Sequence, residues 1–209
     1  MAKERRELVK TGAITALVAV VCALLVSRIP FSAPYRIEAA DLSGWKLVTG
    51  EPDGPALVGL QPPKKLASEL FRQAVEHSKP ALVAPPQVLV PLVLRDEYSD
   101  SLQGVLSTDD ILDLARDAGV ETARFEPVCI IERQTGSAVR FIALFDSPSF
   151  ERFRLQLSPL FPEHAGAAPF DPNALRPMLT IAATDAAAAR SWPSGVEPST
   201  ECNHGLSVN

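Results

Sequence analysis

The sequence predicts an α+β protein in which a single N-terminal transmembrane helix is followed by a β-hairpin/helix segment and a ferredoxin-like unit. Three observations support this fold class. An uncharged apolar run follows a basic N-terminus. Short β-rich runs then alternate with amphipathic helical segments, which is typical of an α+β domain. Of the 209 residues, 46% are hydrophobic and 22% are charged, which is enough apolar material for a globular core.

The charges are distributed unevenly along the chain. Residues 1–36 hold six basic and two acidic side chains, a net charge of +4, whereas the whole chain carries −5. The remainder of the chain therefore carries −9. Nucleic-acid binding needs clustered Lys and Arg to neutralise phosphates, so this acidic body predicts no nucleic-acid partner.

The apolar run spans residues 11–26 without a charge. A helix that crosses the hydrocarbon core needs roughly 20 apolar residues, with about 17 as a lower limit. The run reaches that limit when Lys10 and Arg28 extend their charged ends toward the interfaces. We therefore interpret residues 11–29 as a transmembrane anchor in contact with membrane lipid. The basic residues 1–10 would remain in the cytoplasm, so the body would be periplasmic or exposed at the cell surface.

Two other interpretations of this segment compete with the anchor. A cleaved signal peptide would use the small residues at 31–33, but Pro34 follows them directly and is expected to hinder cleavage. The segment could also be a helix buried in a soluble core. A lipoprotein signal is disfavoured because Val21, rather than a small residue, precedes Cys22.

Residues 30–86 predict a hairpin, a helix and a stiff connector. Two β-rich runs lie on either side of a Pro-Asp-Gly turn at 51–55, which is typical of a hairpin. The following segment, 62–78, has apolar residues on one helical face and a proline suited to its first turn. Three prolines between residues 80 and 86 then form a connector, which we interpret as a subdomain boundary.

Residues 87–190 predict a ferredoxin-like α+β domain because their elements follow the order β-α-β-β-α-β. Pro91 lies within the first strand and places that strand at an edge or a bulge. Ser107 and Asp110 predict a capping box for the first helix, and Pro148 suits the first turn of the second. The predicted elements are a strand at 88–94, a helix at 108–118, strands at 123–133 and 138–146, a helix at 147–157 and a strand at 176–184.

Residues 191–209 lack hydrophobic periodicity and are predicted to be a disordered tail. The chain has three cysteines. The simplest interpretation makes Cys129 a small buried hydrophobe and leaves Cys202 loose in the tail. If the body is exported, these two cysteines could instead form a disulfide. No Cys/His cluster has zinc-ligand spacing and no cofactor motif occurs, so we expect neither a metal nor a cofactor.

Acidic residues form the most distinctive polar group in the sequence. Asp96, Glu97 and Asp100 follow a predicted strand end together with Arg95 and Tyr98. Because side chains that follow a strand end can converge on a cavity, these five residues are candidates for lining a pocket.

Two further groups are candidates for binding. Arg152 and Arg154 flank a phenylalanine, and arginine and aromatic residues are enriched at protein interfaces. Asp109, Asp113 and Asp117 stack on one helix face, where they could bind a hard cation such as Ca²⁺. The simpler interpretation of these three carboxylates is the solvated face of an amphipathic helix.

These patterns favour a non-enzymatic function. The three histidines lack the spacing to a nucleophile and an acid that a catalytic site requires. We expect a membrane-anchored extracytoplasmic domain that acts as a protein-interaction or envelope-assembly module with a protein partner. The alternative is an extracytoplasmic ligand- or cation-binding sensor, or an enzyme with an acidic site near residues 95–100. Such a site would lie in a pocket between the hairpin–helix segment and the domain that follows it.

Overall fold

The computed structural model describes residues 34–160, 171–192 and 201–209. The predicted cytoplasmic segment 1–10 and transmembrane anchor 11–29 lie outside these residues. None of the helices in the described part of the chain has both the length and the apolar character needed to cross a membrane.

The fold is α+β, as the sequence predicts, and the described residues form eight strands and four α-helices of five or more residues. The strands are β1 (Tyr35–Ile37), β2 (Lys46–Thr49), β3 (Ala56–Gln61), β4 (Val90–Leu94), β5 (Glu126–Thr135), β6 (Ala138–Asp146), β7 (Met178–Ala183) and β8 (Cys202–Val208). The helices are α1 (Lys64–His77), α2 (Thr108–Asp117), α3 (Pro148–Leu157) and α4 (Ala186–Arg190). Short helical turns lie at Ala39–Leu42, Arg95–Glu97, Tyr98–Leu102 and Ser158–Leu160.

The strands form two sheets. The larger sheet has the order β1-β8-β5-β6-β7, and the smaller has the order β2-β3-β4. Neighbouring strands are antiparallel except β1 and β8, which are parallel. One hydrophobic core takes buried residues from both sheets and from helices α1, α2 and α3. Within it, Trp45 stacks on Phe125 with ring centroids 4.2 Å apart, and Phe145 meets Trp45 edge-on.

Several elements occur where local sequence signals predict them. Strands β2 and β3 pair as the expected hairpin. The hydroxyl of Ser107 accepts a hydrogen bond from the Asp110 backbone N–H, and the Asp110 carboxylate accepts one from the Ser107 backbone N–H at 2.8 Å. Pro148 occupies the first turn of α3, directly after the N-cap Ser147. The predicted hairpin, capping box and helix start are therefore confirmed.

The ferredoxin-like pairing is not confirmed, although the elements of residues 87–190 occur in the predicted order. A ferredoxin-like sheet would hold β4 as an interior strand beside β6 and β7, yet β4 pairs with β3, and β6 pairs directly with β7. Pro91 supplies the physical reason. It has no N–H to donate, so its strand suits an edge, and β4 is an edge strand of the smaller sheet.

The predicted disordered tail is wrong for residues 202–208, which form β8 between β1 and β5. Residues 193–200 of that tail lie outside the described residues. Only Leu206 of this strand is buried, so the sequence shows no clear alternation. Strand β8 is stabilised instead by backbone pairing on both sides and by a disulfide to β5.

A single amide protects the outer edge of β1. The side chain of Gln73 on α1 accepts a hydrogen bond from the Arg36 N–H at 2.8 Å and donates one to the Arg36 carbonyl at 2.7 Å. Gln73 is only 6% exposed. It therefore takes the place of a neighbouring strand, which matters because an unpaired strand edge invites pairing with other chains.

Replacing Gln73 with leucine is expected to lower the free energy of unfolding by about 2 kcal/mol. The substitution leaves the N–H and carbonyl of Arg36 without partners, and each unsatisfied buried group costs about 1–3 kcal/mol. Urea denaturation of the full chain in detergent would measure the loss. Gln156→Leu, on the exposed side of α3, is the matched control and should change stability by less than about 0.5 kcal/mol. Equal effects of the two substitutions would contradict the edge-protection role.

Candidate functional site

A cavity of about 310 Å³ lies where the β2–β3 turn, the proline connector, β7 and α4 meet. We call it the first cavity. This is the junction between the hairpin segment and the following domain, where a pocket is predicted. Its apolar walls include Pro55, Pro85, Pro86, Leu89, Pro91 and Trp192. A cavity of this size is at the lower end of those that hold small ligands.

Arg95 and Gln87 fix the turn that forms one wall of the first cavity. The Arg95 guanidinium donates hydrogen bonds to the carbonyls of Glu51 at 2.6 Å and of Gly54 at 3.0 Å. The Gln87 side chain accepts from the Glu51 N–H at 2.9 Å and donates to the Thr49 carbonyl at 3.3 Å. Since the turn is held by side chains on two separate segments, this wall is preorganised, which reduces the entropy lost on binding.

Arg140 on β6 fixes the opposite element, α4. Its guanidinium donates to the Ala188 carbonyl at 2.9 Å and to the Ser191 hydroxyl at 2.6 Å. Asp185 caps the start of the helix by accepting from the Ala188 N–H at 2.7 Å. Burial, followed by the nearby Arg133 cation, lowers the pKa of Arg140 below its usual value. These bonds position Ser191, which itself lines the first cavity.

A second cavity, of about 550 Å³, adjoins the first. Both cavities are lined by Glu51, Pro86 and Gln87, so the proline connector runs along their common border. The second cavity also has Phe71 of α1 in its wall and the buried Ile181 of β7 on its floor. It lies between α1 and the connector and adds a second concave surface beside the predicted pocket.

The structure brings together two of the predicted site residues, Glu97 and Arg154. The Arg154 guanidinium donates to both carboxylate oxygens of Glu97, at 2.7 and 3.0 Å, and its side chain is only 1% exposed. It also donates to the carbonyls of Leu92, Asp171 and Pro172. This arrangement joins α3 to the helical turn after β4 and to the segment before β7, so it is a structural cross-connection.

The other predicted site residues do not converge. Asp96 and Asp100 are exposed, and both hydrogen-bond with the Ser99 hydroxyl beside them. Arg152 is also exposed and donates to the Ala118 carbonyl at 3.5 Å. The seven predicted residues, Arg95, Asp96, Glu97, Tyr98, Asp100, Arg152 and Arg154, line neither cavity.

The cation-binding alternative finds no support in the described residues. Asp109, Asp113 and Asp117 are all exposed, and Asp113 forms an ion pair with Arg116 on the same helix. Across the part of the chain that the structure describes, no group of three or more His, Cys, Asp and Glu side chains is arranged to hold a metal ion. The three aspartates fit the solvated-face interpretation.

A buried aromatic and imidazole cluster surrounds Tyr35 at the start of β1. Tyr35 is 0% exposed, and its ring lies edge-on to His77, with centroids 4.8 Å apart, and 5.8 Å from His204. His204 Nε2 lies 3.3 Å from the Glu132 carboxylate. The Tyr35 hydroxyl and His77 Nδ1 are buried without a hydrogen-bond partner in the described structure. Sequence reasoning missed this cluster because only the pairing of β8 brings His204 to the other residues.

Replacing Tyr35 with phenylalanine is expected to remove an alkaline destabilisation. Burial, and secondarily the Glu132 carboxylate, raises the pKa of Tyr35 from 10 to about 12. The unfolded chain therefore loses the Tyr35 proton at a lower pH than the folded chain does. The contribution of Tyr35 to the free energy of unfolding is complete below pH 10 and falls by about 2 kcal/mol as the pH rises to 12. Denaturant titrations of the full chain between these pH values would measure the slope.

Tyr98→Phe is the control for this experiment, because the chain has two tyrosines and this substitution should keep the slope. At neutral pH, Tyr35→Phe should leave stability unchanged or raise it slightly, since the hydroxyl lacks a partner. A loss of more than about 1 kcal/mol at neutral pH would show that the hydroxyl makes a stabilising bond.

A disulfide joins Cys129 on β5 to Cys202 on β8, with Cα atoms 5.7 Å apart. Cys129 is 4% exposed, whereas Cys202 lies at the exposed start of β8. The simplest interpretation of the sequence, two unpaired cysteines, is therefore wrong, and the alternative disulfide occurs. The physical reason is the pairing of β8 with β5, which places the two cysteines on neighbouring strands of one sheet.

No protein-family model, curated protein or solved structure matches the chain.

Proposed function

We propose that the chain is a membrane-anchored extracytoplasmic α+β domain that binds a segment of a partner protein in its two adjoining cavities. Residues 11–29 would hold it in the membrane, with residues 1–10 in the cytoplasm. The single observation that carries the proposed location is the disulfide between Cys129 and Cys202. Disulfides persist in oxidising compartments and are rare in the cytosol, so this bond supports an exported body.

The lining of the cavities supports binding rather than catalysis. The first cavity offers prolines and an indole, with hydroxyls from Thr180 and Ser191. The Ser191 hydroxyl already accepts a hydrogen bond from Arg140 and donates toward the Ala188 carbonyl. A nucleophilic site needs a general base within hydrogen-bond reach of such a hydroxyl, and no described residue supplies one to Ser191.

Thiol labelling tests the proposed location. In cells, an exported body keeps Cys129 and Cys202 oxidised, so a maleimide should label one of the three cysteines before reduction and all three after it. Cys129→Ser is the control, since it frees Cys202 and should give two labelled cysteines without reduction. Labelling of all three cysteines without reduction would place the body in a reducing compartment and overturn this part of the proposal.

Photo-crosslinking in membranes tests the interaction. A photoreactive amino acid at Pro86, which is exposed and lines both cavities, should form an adduct with a discrete partner protein. The same amino acid at Asp109, which is exposed on α2 and lines neither cavity, should not form that adduct. Recovery of an uncrosslinked monomer from both positions would count against an interaction module.

A further inference from the structure

Glu51, Pro86 and Gln87 line both cavities, so these residues form a wall that the two cavities share. We call the two cavities together the groove, each cavity a compartment of it, and the shared wall the ridge. Each compartment has one aromatic side chain in its wall, Trp192 in the first cavity and Phe71 in the second. A small molecule would fill one compartment, whereas an extended peptide can cross the ridge and place apolar side chains in both.

The composition of the walls favours a peptide in the polyproline II conformation. Proline-rich segments bind in aromatic-lined grooves because their extended conformation is already formed before binding. The groove itself is also fixed, since prolines form the connector and hydrogen bonds from Arg95 and Gln87 hold the turn. Two preorganised partners lose little conformational entropy on association.

Charges of alternating sign lie along this groove. Glu51 lines both cavities and therefore lies at the middle, whereas Arg190 lines only the first cavity and Lys64 only the second. All three are exposed, and none of them forms an ion pair with another described residue. Each cavity therefore has one of these cations in its lining, and the Glu51 carboxylate lies on the wall that the cavities share. Asp53, in the first cavity, adds a second carboxylate to the same turn as Glu51.

We infer that the groove binds an extended, proline-rich peptide segment with a central Lys or Arg and acidic residues on either side. The central cation pairs with Glu51 on the ridge, and the flanking carboxylates pair with Arg190 and Lys64. The prolines between these charges occupy the two apolar compartments. This inference rests on the proposed function and specifies the chemistry of the partner segment.

Two nonapeptides of opposite charge pattern provide the test. Ala-Glu-Pro-Pro-Arg-Pro-Pro-Glu-Ala has the complementary pattern, and Ala-Arg-Pro-Pro-Glu-Pro-Pro-Arg-Ala has the reversed one. The complementary peptide is the more acidic of the two. Because the chain carries a net charge of −5, non-specific electrostatics would favour the reversed peptide. The groove predicts the opposite preference, so the sign of the difference distinguishes specific from non-specific binding.

Indole fluorescence gives a local measurement on the full chain in detergent. The protein has two tryptophans, and Trp45 is 1% exposed, so iodide quenching reports mainly on Trp192 in the first cavity. The complementary peptide should protect Trp192 from iodide and bind about tenfold tighter than the reversed peptide, since three weak ion pairs are reversed together. Glu51→Gln should reduce this preference, since it removes one of the three ion pairs and leaves the other two. Phe71→Ala should weaken both peptides while keeping their order.

Asp109→Asn is the matched control, because it also neutralises one exposed carboxylate but lies outside the groove. Its affinity for the complementary peptide should equal that of the unsubstituted chain. Tighter binding of the reversed peptide, or an unchanged preference in Glu51→Gln, would overturn the inference. Absence of saturable binding of either peptide up to about 1 mM would overturn it as well.

The two proposals fail in distinguishable ways. If Pro86 crosslinks to a partner but neither peptide protects Trp192, the peptide inference is wrong and the interaction module stands. If the adduct consists of two copies of this chain, the occupant is a second copy, and the peptide inference is again wrong. If no adduct forms at Pro86 and no peptide binds, both proposals are wrong.

Discussion

Replacing Arg154 with methionine is expected to lower the free energy of unfolding by about 3 kcal/mol, the lower end of the range for breaking a buried ion pair. Methionine keeps most of the apolar stem but removes every donor of the guanidinium. It leaves the Glu97 carboxylate without its cation and the carbonyls of Leu92, Asp171 and Pro172 without this donor. Glu97 retains 21% exposure, so water can partly solvate it after the substitution.

Arg154→Lys should lose most of the same stability. The Arg154 guanidinium contacts both oxygens of Glu97 and three carbonyls, and a lysine ammonium cannot reproduce that planar fork. The Arg116→Met substitution is the matched control, because Arg116 pairs with Asp113 at the exposed surface of α2. It should cost less than about 0.5 kcal/mol. Urea denaturation of the full chain in detergent measures all three variants.

A double-mutant cycle separates the ion pair from the packing of the arginine stem. Glu97→Leu alone leaves a buried guanidinium without its carboxylate, and it also frees the Leu94 N–H that donates to Glu97 at 2.9 Å. Combining Glu97→Leu with Arg154→Met removes both charges, so the double variant should be more stable than the sum of the single losses predicts. Strict additivity would show that the two side chains stabilise the fold independently.

Local sequence signals were sufficient wherever one segment forms its own structure. Ser107 and Asp110 are three residues apart and close a capping box without help from the rest of the chain. Pro148 likewise fits the first turn of α3 because of its own fixed backbone angle. Such features depend on neighbouring residues alone, which is why the helices and the β2–β3 hairpin could be predicted.

Strand pairing could not be predicted in the same way. Pro91 correctly indicated an edge strand, and that property already conflicts with an interior position in a ferredoxin-like sheet. The sequence therefore contains two conflicting signals, because the order of elements predicts an interior strand whereas Pro91 predicts an edge strand. Strand β8 had no comparable signal, because its position depends on partners that lie far away in the chain, at β1 and β5.

The candidate site shows the same division between local and distant information. The sequence indicated a cavity at the junction, yet residues 95–100 line neither cavity. Arg95 instead donates hydrogen bonds to the β2–β3 turn that forms one wall of the first cavity. The lining residues Glu51, Pro86 and Trp192 come from three separate segments. Prolines and a tryptophan carry no catalytic spacing, so only the packed fold reveals that they surround one space.

Removing the disulfide, by the double substitution Cys129→Ala and Cys202→Ser, is expected to lower the free energy of unfolding by about 4 kcal/mol. The two cysteines are 73 residues apart in the sequence. A crosslink over a loop of that length restricts the unfolded chain, and the chain-entropy model gives about 4 kcal/mol for it. Urea denaturation of the oxidised chain, the reduced chain and the double variant in detergent would measure the loss. Cys22→Ser is the control and should leave stability unchanged.

In addition to this effect on the unfolded chain, removal of the crosslink should loosen one side of the larger sheet in the folded state. Strand β8 pairs with only three residues of β5, and β1 has β8 as its strand neighbour. When the crosslink is removed, β8 can separate from β5 and from β1, so the backbone groups of β1 that pair with β8 lose their partners. Within β1, Arg36 keeps its hydrogen bonds to the Gln73 amide. Hydrogen exchange should therefore rise first in β1 and β8 and remain slow in β6 and β7.

A uniform rise in exchange across the larger sheet would contradict this local role and would fit an effect on the unfolded chain alone. The distinction bears on the anchor interpretation, because β1 begins at Tyr35, only a few residues after the predicted anchor at 11–29. Strand β1 is the first strand of the described residues after that segment. The Cys129–Cys202 crosslink then ties β8, the strand neighbour of β1, covalently to the interior of the sheet.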